Sequence, residues 1–331
     1  MKLNAPTWLL AILEVVVALV VGFMGGALVL TAFGYDSLEG LYTMLVYGFN
    51  DLSYLVLKAS PLVLSALAFL IPLRAGLFNI GGEGQLYAGA LTAIAFSKTG
   101  FYVAIPAGAI AGSMVGLAIG LLRAYRGVNE VVASIMFNWI LFYTSLFIIL
   151  RYLLDPVYTH QSIRVDRMLS LGELLALAVL ASIAVYIMLF YTKLGYQVRL
   201  MGSSPKTARY AGVNEKTVTL ISMGLGGLMG GLAGVAQVYG VTGVVDTTLS
   251  ALYGLGFLGI GVALIARLNP LAVIPSSLLV SGLIIGGQWL ELRLNVAPEL
   301  ADVIVGMVIL SLSAPYAYRL LVSRLGGVRG G

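Results

Sequence analysis

GLFNIGGEGQ, Gly76–Gln85, is a polar, glycine-rich break in a sequence whose flanks on both sides are apolar enough to lie in lipid. A lone Glu83, with Asn79 and Gln85 beside it, is costly at membrane depth unless it faces protein or water. Four glycines in ten residues leave a helix poorly determined. Irregular backbone survives at that depth only where it is buried in protein or lines a cavity. The stretch therefore predicts a broken helix beside a translocation path.

The rest of the chain agrees with that class. Its 331 residues are 60% hydrophobic and 10% charged, with a mean hydropathy of +1.00. A soluble domain carries about 25% charged residues. The expected fold is all-α and polytopic, a single membrane domain over 1–331. Cysteine is absent, which excludes disulfides and cysteine-ligated metals. The one histidine, His160, rules out a His-rich metal site or a His-based triad. The net charge of +5 is spread between apolar runs, so positive-inside loops explain it better than nucleic acid does. No cleavable signal is evident, because the first apolar run is far longer than a signal core.

About 20 apolar residues cross a bilayer. Ten spans follow, roughly 8–30, 54–73, 79–97, 101–122, 131–153, 170–192, 217–240, 252–268, 271–288 and 300–316. Lys58, near the start of the second, snorkels to the interface. With alternating loops, the N-terminal side collects most of the 19 basic residues and the other side most of the 14 acids. That asymmetry places both termini in the cytoplasm. Glycines spaced by four, such as Gly108, Gly112, Gly116 and Gly120, or Gly226, Gly230 and Gly234, mark faces where helices pack closely. The third span opens in Gly76–Ala90. The eighth, Tyr253–Ala266 (YGLGFLGIGVALIA), is also short and glycine-interrupted. They lie five spans apart, and an odd offset reverses direction, so two inverted repeats of about five spans are expected, with one or two broken helices.

The longest basic loop is 193–216, KLGYQVRLMGSSPKTARYAGVNEK. Ser204-Pro205 reads as an N-cap with proline at the first helical position. Gly212 closes the short helix 205–211. Such a helix is too short to stand alone. It is either an ordinary positive-inside turn or an element that docks on a partner.

This loop resembles the coupling-helix region of ABC importer permeases, in the superfamily that carries ribose-type sugars, nucleosides and branched-chain amino acids. Four segments carry the resemblance in order: GLFNIGGEGQ at Gly76–Gln85, RGVNEVVASIMFNWI at Arg126–Ile140, GSSPKTARYAGVN at Gly202–Asn214, and GLGFLGIGVALIARLNP at Gly254–Pro270. The first two look nearest to the nucleoside and simple-sugar permeases. The resemblance implies a permease in the plasma membrane without chemistry of its own. ATP and Mg would sit on a separate ABC ATPase, since no GxxxxGK[ST] loop is present. It also implies a second permease subunit, the same or similar, and an extracellular substrate-binding protein. Gly202, Ser204, Pro205, Ala208, Arg209, Tyr210, Ala211 and Gly212 would form the coupling element, with Ala208 or Ala211 presented to the ATPase groove.

Asn79, Glu83 and Gln85 are the first pathway candidates. Glu83 either lines the path or is structural, capping its own span or pairing with Arg74. Asn138, Trp139 and Gln237 are further candidates, since a buried amide needs a partner and an indole suits a base or sugar face. Each has a packing alternative. Asn129 and Glu130 read as a cap and a first-turn acid. The functional alternatives are a branched-chain amino acid permease and an ion-driven secondary transporter. The latter class carries more ionisable residues deep in its spans than this chain does.

Overall fold

A computed structural model describes residues 7–250 and 252–314. Among them there is no β-strand, only isolated bridges such as Leu154 with Ser162. The α-helices are α1 (Thr7–Ala32), α2 (Ser37–Phe49), α3 (Leu52–Arg74), α4 (Gly82–Ala95), α5 (Phe101–Arg126), α6 (Glu130–Ile148), α7 (Leu171–Tyr191), α8 (Lys193–Ser203), α9 (Pro205–Tyr210), α10 (Glu215–Ala236), α11 (Leu255–Ile265), α12 (Val273–Leu294) and α13 (Pro298–Ser313). π-Helical turns extend α6 to Leu153 and α10 to Thr242.

Seven stretches of the described chain are long and apolar enough to cross a membrane, and the chain is a multi-pass membrane protein. They match the first, second, fourth to seventh, and ninth expected spans. The third and eighth expected spans are α4 and α11, of 14 and 11 residues. At about 1.5 Å per residue, both fall short of a hydrocarbon core of about 30 Å. The tenth is α13, with 16 residues; positions 315 and 316 of that span lie outside the described residues, as do both termini with Lys2, Arg319, Arg324 and Arg329.

Two helices stand where the sequence predicts loops. α2 starts at Asp36, whose carboxylate accepts from the Leu38 and Glu39 backbone N–H groups. α8 starts at Thr192, whose hydroxyl accepts from Gly195 N. Both are held by caps and by one buried face, signals that a search for 20-residue apolar runs passes over.

The described residues cluster into two compact units, 7–55 with 278–314, and those within 56–277. In the first, α1 packs on α13. A Cβ on Gly26 would meet Ile304 Cγ2 at 2.7 Å, and Ser311 donates to Ala18 O at 2.6 Å. In the second, α4, α5 and α10 share a seam of glycines. Gly112 lies against Gly227 and Gly231, and Gly234 against Leu86 and Ala90. Small residues let backbones touch where lipid offers no hydrophobic drive.

Candidate functional site: two broken helices joined by a buried carboxylate

α3 ends at Arg74, and the backbone stays non-helical until Gly82. Gly76, at φ +78°, turns the chain. Leu77 N bonds Pro72 O at 3.0 Å, closing the end of α3. Asn79 organises the break. Its Oδ1 accepts from Gly81 N at 3.0 Å, and its Nδ2 donates to Ala68 O at 3.3 Å. Asn79 and Gln85 also exchange two amide bonds of 3.3 Å. Both side chains are buried, and the pair satisfies polar groups that would otherwise be costly.

α4 has no side-chain cap at its own N-cap, Gly81. Help comes from α6: Asn138 Oδ1 accepts from Gly84 N at 2.8 Å, while its Nδ2 donates to Ile80 O at 3.1 Å. Glu83 is 2% exposed and serves a different helix. Its Oε1 accepts from Gly254 N at 2.6 Å and from the Tyr87 hydroxyl at 2.8 Å. Its Oε2 accepts from Gly256 N at 2.7 Å. The carboxylate thus caps α11, 171 residues away in sequence from its Gly254 donor. The alternatives read from sequence, a cap on its own span or a pair with Arg74, give way to this one. Arg74 instead donates through Nε and Nη2 to Leu268 O, at 2.9 and 2.6 Å.

The N-termini of α4 and α11 meet here. A Cβ on Gly256 would come within 2.6 Å of Glu83 Cα, so only glycine permits the crossing. Two helix N-termini each carry partial positive charge, and an anion between them is favourable. Glu83 supplies that anion from inside the protein.

Beside this junction lies a cavity of about 100 Å³, lined by Glu83, Tyr87, Ile135, Asn138, Trp139, Phe142, Tyr253 and Phe257. Trp139 stacks on Tyr143, with ring centroids 6.0 Å apart, and meets Phe142 edge-on at 5.9 Å. The wall is aromatic with one carboxylate and one amide, a combination suited to a neutral, hydroxyl-bearing ring. The volume is below the several hundred Å³ of a typical ligand pocket. A ligand of ordinary size therefore needs the walls to part.

Of the sequence candidates, Glu83, Asn138 and Trp139 line this cavity. Asn79 and Gln85 sit in the break, and Gln237 is buried where the π-turn of α10 begins. Tyr87 and Phe142 were not anticipated, while Tyr253 and Phe257 come from the glycine-interrupted eighth span, expected at the path as a segment and not residue by residue. Tyr87 was within reach, since residues four apart share a helix face and Glu83 precedes it by four. No group of three or more His, Cys, Asp or Glu side chains is gathered for a metal among the described residues.

A family model described as the permease component of the branched-chain amino acid transport system matches residues 51–313. The chain belongs to this family of ABC importer permeases. It is 28% identical to the nucleoside ABC transporter permease NupB of Lactococcus lactis subsp. cremoris, over 96% of this chain and 95% of the relative. It is 30% identical to the guanosine ABC transporter permease NupP of Bacillus subtilis, over 93% and 95%. The glucose ABC transporter permease TsgB13 of Haloferax volcanii is 30% identical over 93% of this chain and 88% of its own length.

In this permease the basic loop 193–216 is α8, α9, the turn that follows and the first two residues of α10. Ser204 caps α9, its hydroxyl accepting from Thr207 N at 3.3 Å, with Pro205 in the first turn. Gly212, at φ +76°, follows its end. Gly202 packs on the break after α3, where a Cβ would meet Arg74 C at 3.0 Å and Gly76 N at 3.2 Å. Arg209 forms two 3.0 Å bonds to Glu215. That hydrogen bonding, and then the opposite charge, push the Arg209 pKa up. Ala208 does not face outward as the sequence suggested. It is fully buried, and Val213 N bonds its carbonyl at 2.9 Å. Ala211 and the 94% exposed Tyr210 face solvent instead. A six-residue helix is marginal alone, and the buried Ala208 and the Ser204 cap hold it in place.

Proposed function

We propose that this permease forms the translocation path for a nucleoside or simple sugar and is driven by ATP hydrolysis on a separate ABC ATPase subunit. The observation that carries the substrate class is the cavity at the α4–α11 junction. Its aromatic wall, with Trp139 set edge-on to Phe142, suits the face of a base or sugar, and Glu83 and Asn138 offer acceptors to hydroxyl or amine hydrogens. The names of the relatives support the same class. The working unit pairs this chain with a second permease, the same or similar, and with an extracellular binding protein. α9 docks on the ATPase through Tyr210 and Ala211, and ATP and Mg reside there. Ten crossings in two inverted repeats, with both termini cytoplasmic, complete the reading; the short α4 and α11 are the corresponding broken helices of the two repeats.

The test is reconstitution. The permease is co-expressed with its ATPase and partner permease, placed in liposomes, and supplied with the binding protein. ATP-dependent uptake of a labelled nucleoside or sugar is expected. Uptake of branched-chain amino acids alone would move the substrate class. Ion-gradient transport by this chain without an ATPase would overturn the reading.

A further inference from the structure

We propose that the groove at the α7–α8 junction binds the phosphate of an anionic phospholipid headgroup. α7 is of membrane-crossing length and ends at Tyr191. Thr192 leaves the helix, and α8 begins at Lys193. Between them lies a groove of about 490 Å³ walled by Tyr191, Lys193, Tyr196 and Arg199 on one side and by Ala211 and Val213, beside the coupling element, on the other, with no acidic residue.

Among the described residues no ion pair involves Lys193 or Arg199, the cations of this groove; the pairs are Arg123–Glu130, Arg167–Glu173 and Arg209–Glu215. Arg199 Nε is buried and has no hydrogen-bond partner among the described residues. Its guanidinium lies over the Phe190 ring, 5.0 Å from the centroid. Arg74 shares that ring at 5.8 Å but has Leu268 O as its acceptor. A partly desolvated cation without a counterion is incomplete. A guanidinium carries its donors in the fork that phosphate matches. The N-terminus of α8 adds partial positive charge at the same place.

Depth selects the lipid. Tyr191 and Tyr196 are 74% and 59% exposed, at the end of a membrane-length helix where tyrosine belts sit at headgroup level. Basic pockets at this level bind anionic headgroups. The inference rests on the multi-pass reading and is independent of the transported substrate.

The permease complex is purified in mild detergent and exchanged against vesicles of phosphatidylcholine with or without phosphatidylglycerol. Retained lipid is quantified by mass spectrometry for wild type, K193Q, R199Q, R199K and the distant charge control K98Q. Selective phosphatidylglycerol retention is expected, falling about fivefold for each groove cation removed, restored in part by R199K and unchanged by K98Q. If R199Q fails to accumulate, K193Q carries the test alone. Equal retention by wild type and groove variants overturns the proposal. Displacement of the lipid by inorganic phosphate makes this a free-anion site instead. Loss of the ATPase subunit from R199Q, with lipid unchanged, makes it a protein groove.

Discussion

Glu83 satisfies three donors at once, two from the N-terminus of α11 and one from Tyr87 on its own helix. Hydrogen bonds to a charged acceptor are the strong ones, and a buried donor left unmatched costs its full desolvation. Glu83→Ala strands the Gly254 and Gly256 N–H groups and the Tyr87 hydroxyl. The expected loss is about 3 kcal/mol of stability, with transport abolished, because α11 loses its cap and the cavity its wall. Glu83→Gln keeps the acceptor Oε1, loses the charge, and turns an amide NH2 donor toward an N–H donor. It should lose about half as much stability while transport still falls at least tenfold. Thermal unfolding in detergent, read beside ATP-dependent uptake, checks both. Wild-type uptake in a correctly folded Glu83→Ala would remove this residue from the path. Asn138→Asp makes a finer test, since it keeps the acceptor for Gly84 N but loses the donor to Ile80 O. A stability loss of about 1–3 kcal/mol is expected from that one unsatisfied carbonyl and the buried charge.

At the level of elements, the helix contacts set which glycines are replaceable. Gly112 packs backbone to backbone on α10, so Gly112→Ala forces α5 and α10 apart. It should lower stability by about 1–3 kcal/mol. Gly306, in the middle of α13, has nothing within 4 Å of an added Cβ. Gly306→Ala should raise stability by about 0.5–1 kcal/mol by reducing the freedom of the unfolded chain. The two melting temperatures should move in opposite directions; a shift of the same sign would refute the packing account. α9 makes a similar contrast. Ala208→Asp buries a carboxylate in a fully enclosed site and should unfold the loop. Tyr210→Ala removes a ring that is 94% exposed, so its stability cost should stay within about 0.5 kcal/mol. The same variant should lose ATPase co-purification and uptake together. Retained ATPase pull-down by Tyr210→Ala would place the coupling contact elsewhere.

For the whole molecule, the absence of native cysteine makes a labelling map direct. Cysteines replacing Asp36 and Asp166 should react with an impermeant maleimide in intact cells, and one replacing Lys206 only after permeabilisation. External labelling at Lys206 would defeat the ten-span reading. The sequence by itself determined the class, most of the long spans, the break after Arg74 and the Ser204–Pro205 helix. Each rests on a local signal: apolar length, glycine and polar density, or a cap beside proline. Asn129 shows how far such signals reach, since its side chain does cap α6, accepting from Val131 and Val132 N–H. Only the tertiary structure decided that Glu83 caps α11, that Asn79 and Gln85 face each other, and that Ala208 turns inward. It also decided that α2 and α8 are helices. A carboxylate in a first turn is compatible with any donor nearby, and which donor arrives depends on packing between segments 171 residues apart. That packing is set by backbone contact at Gly256 and along the glycine seam, where residues without side chains leave no chemical label in the sequence to say what they touch.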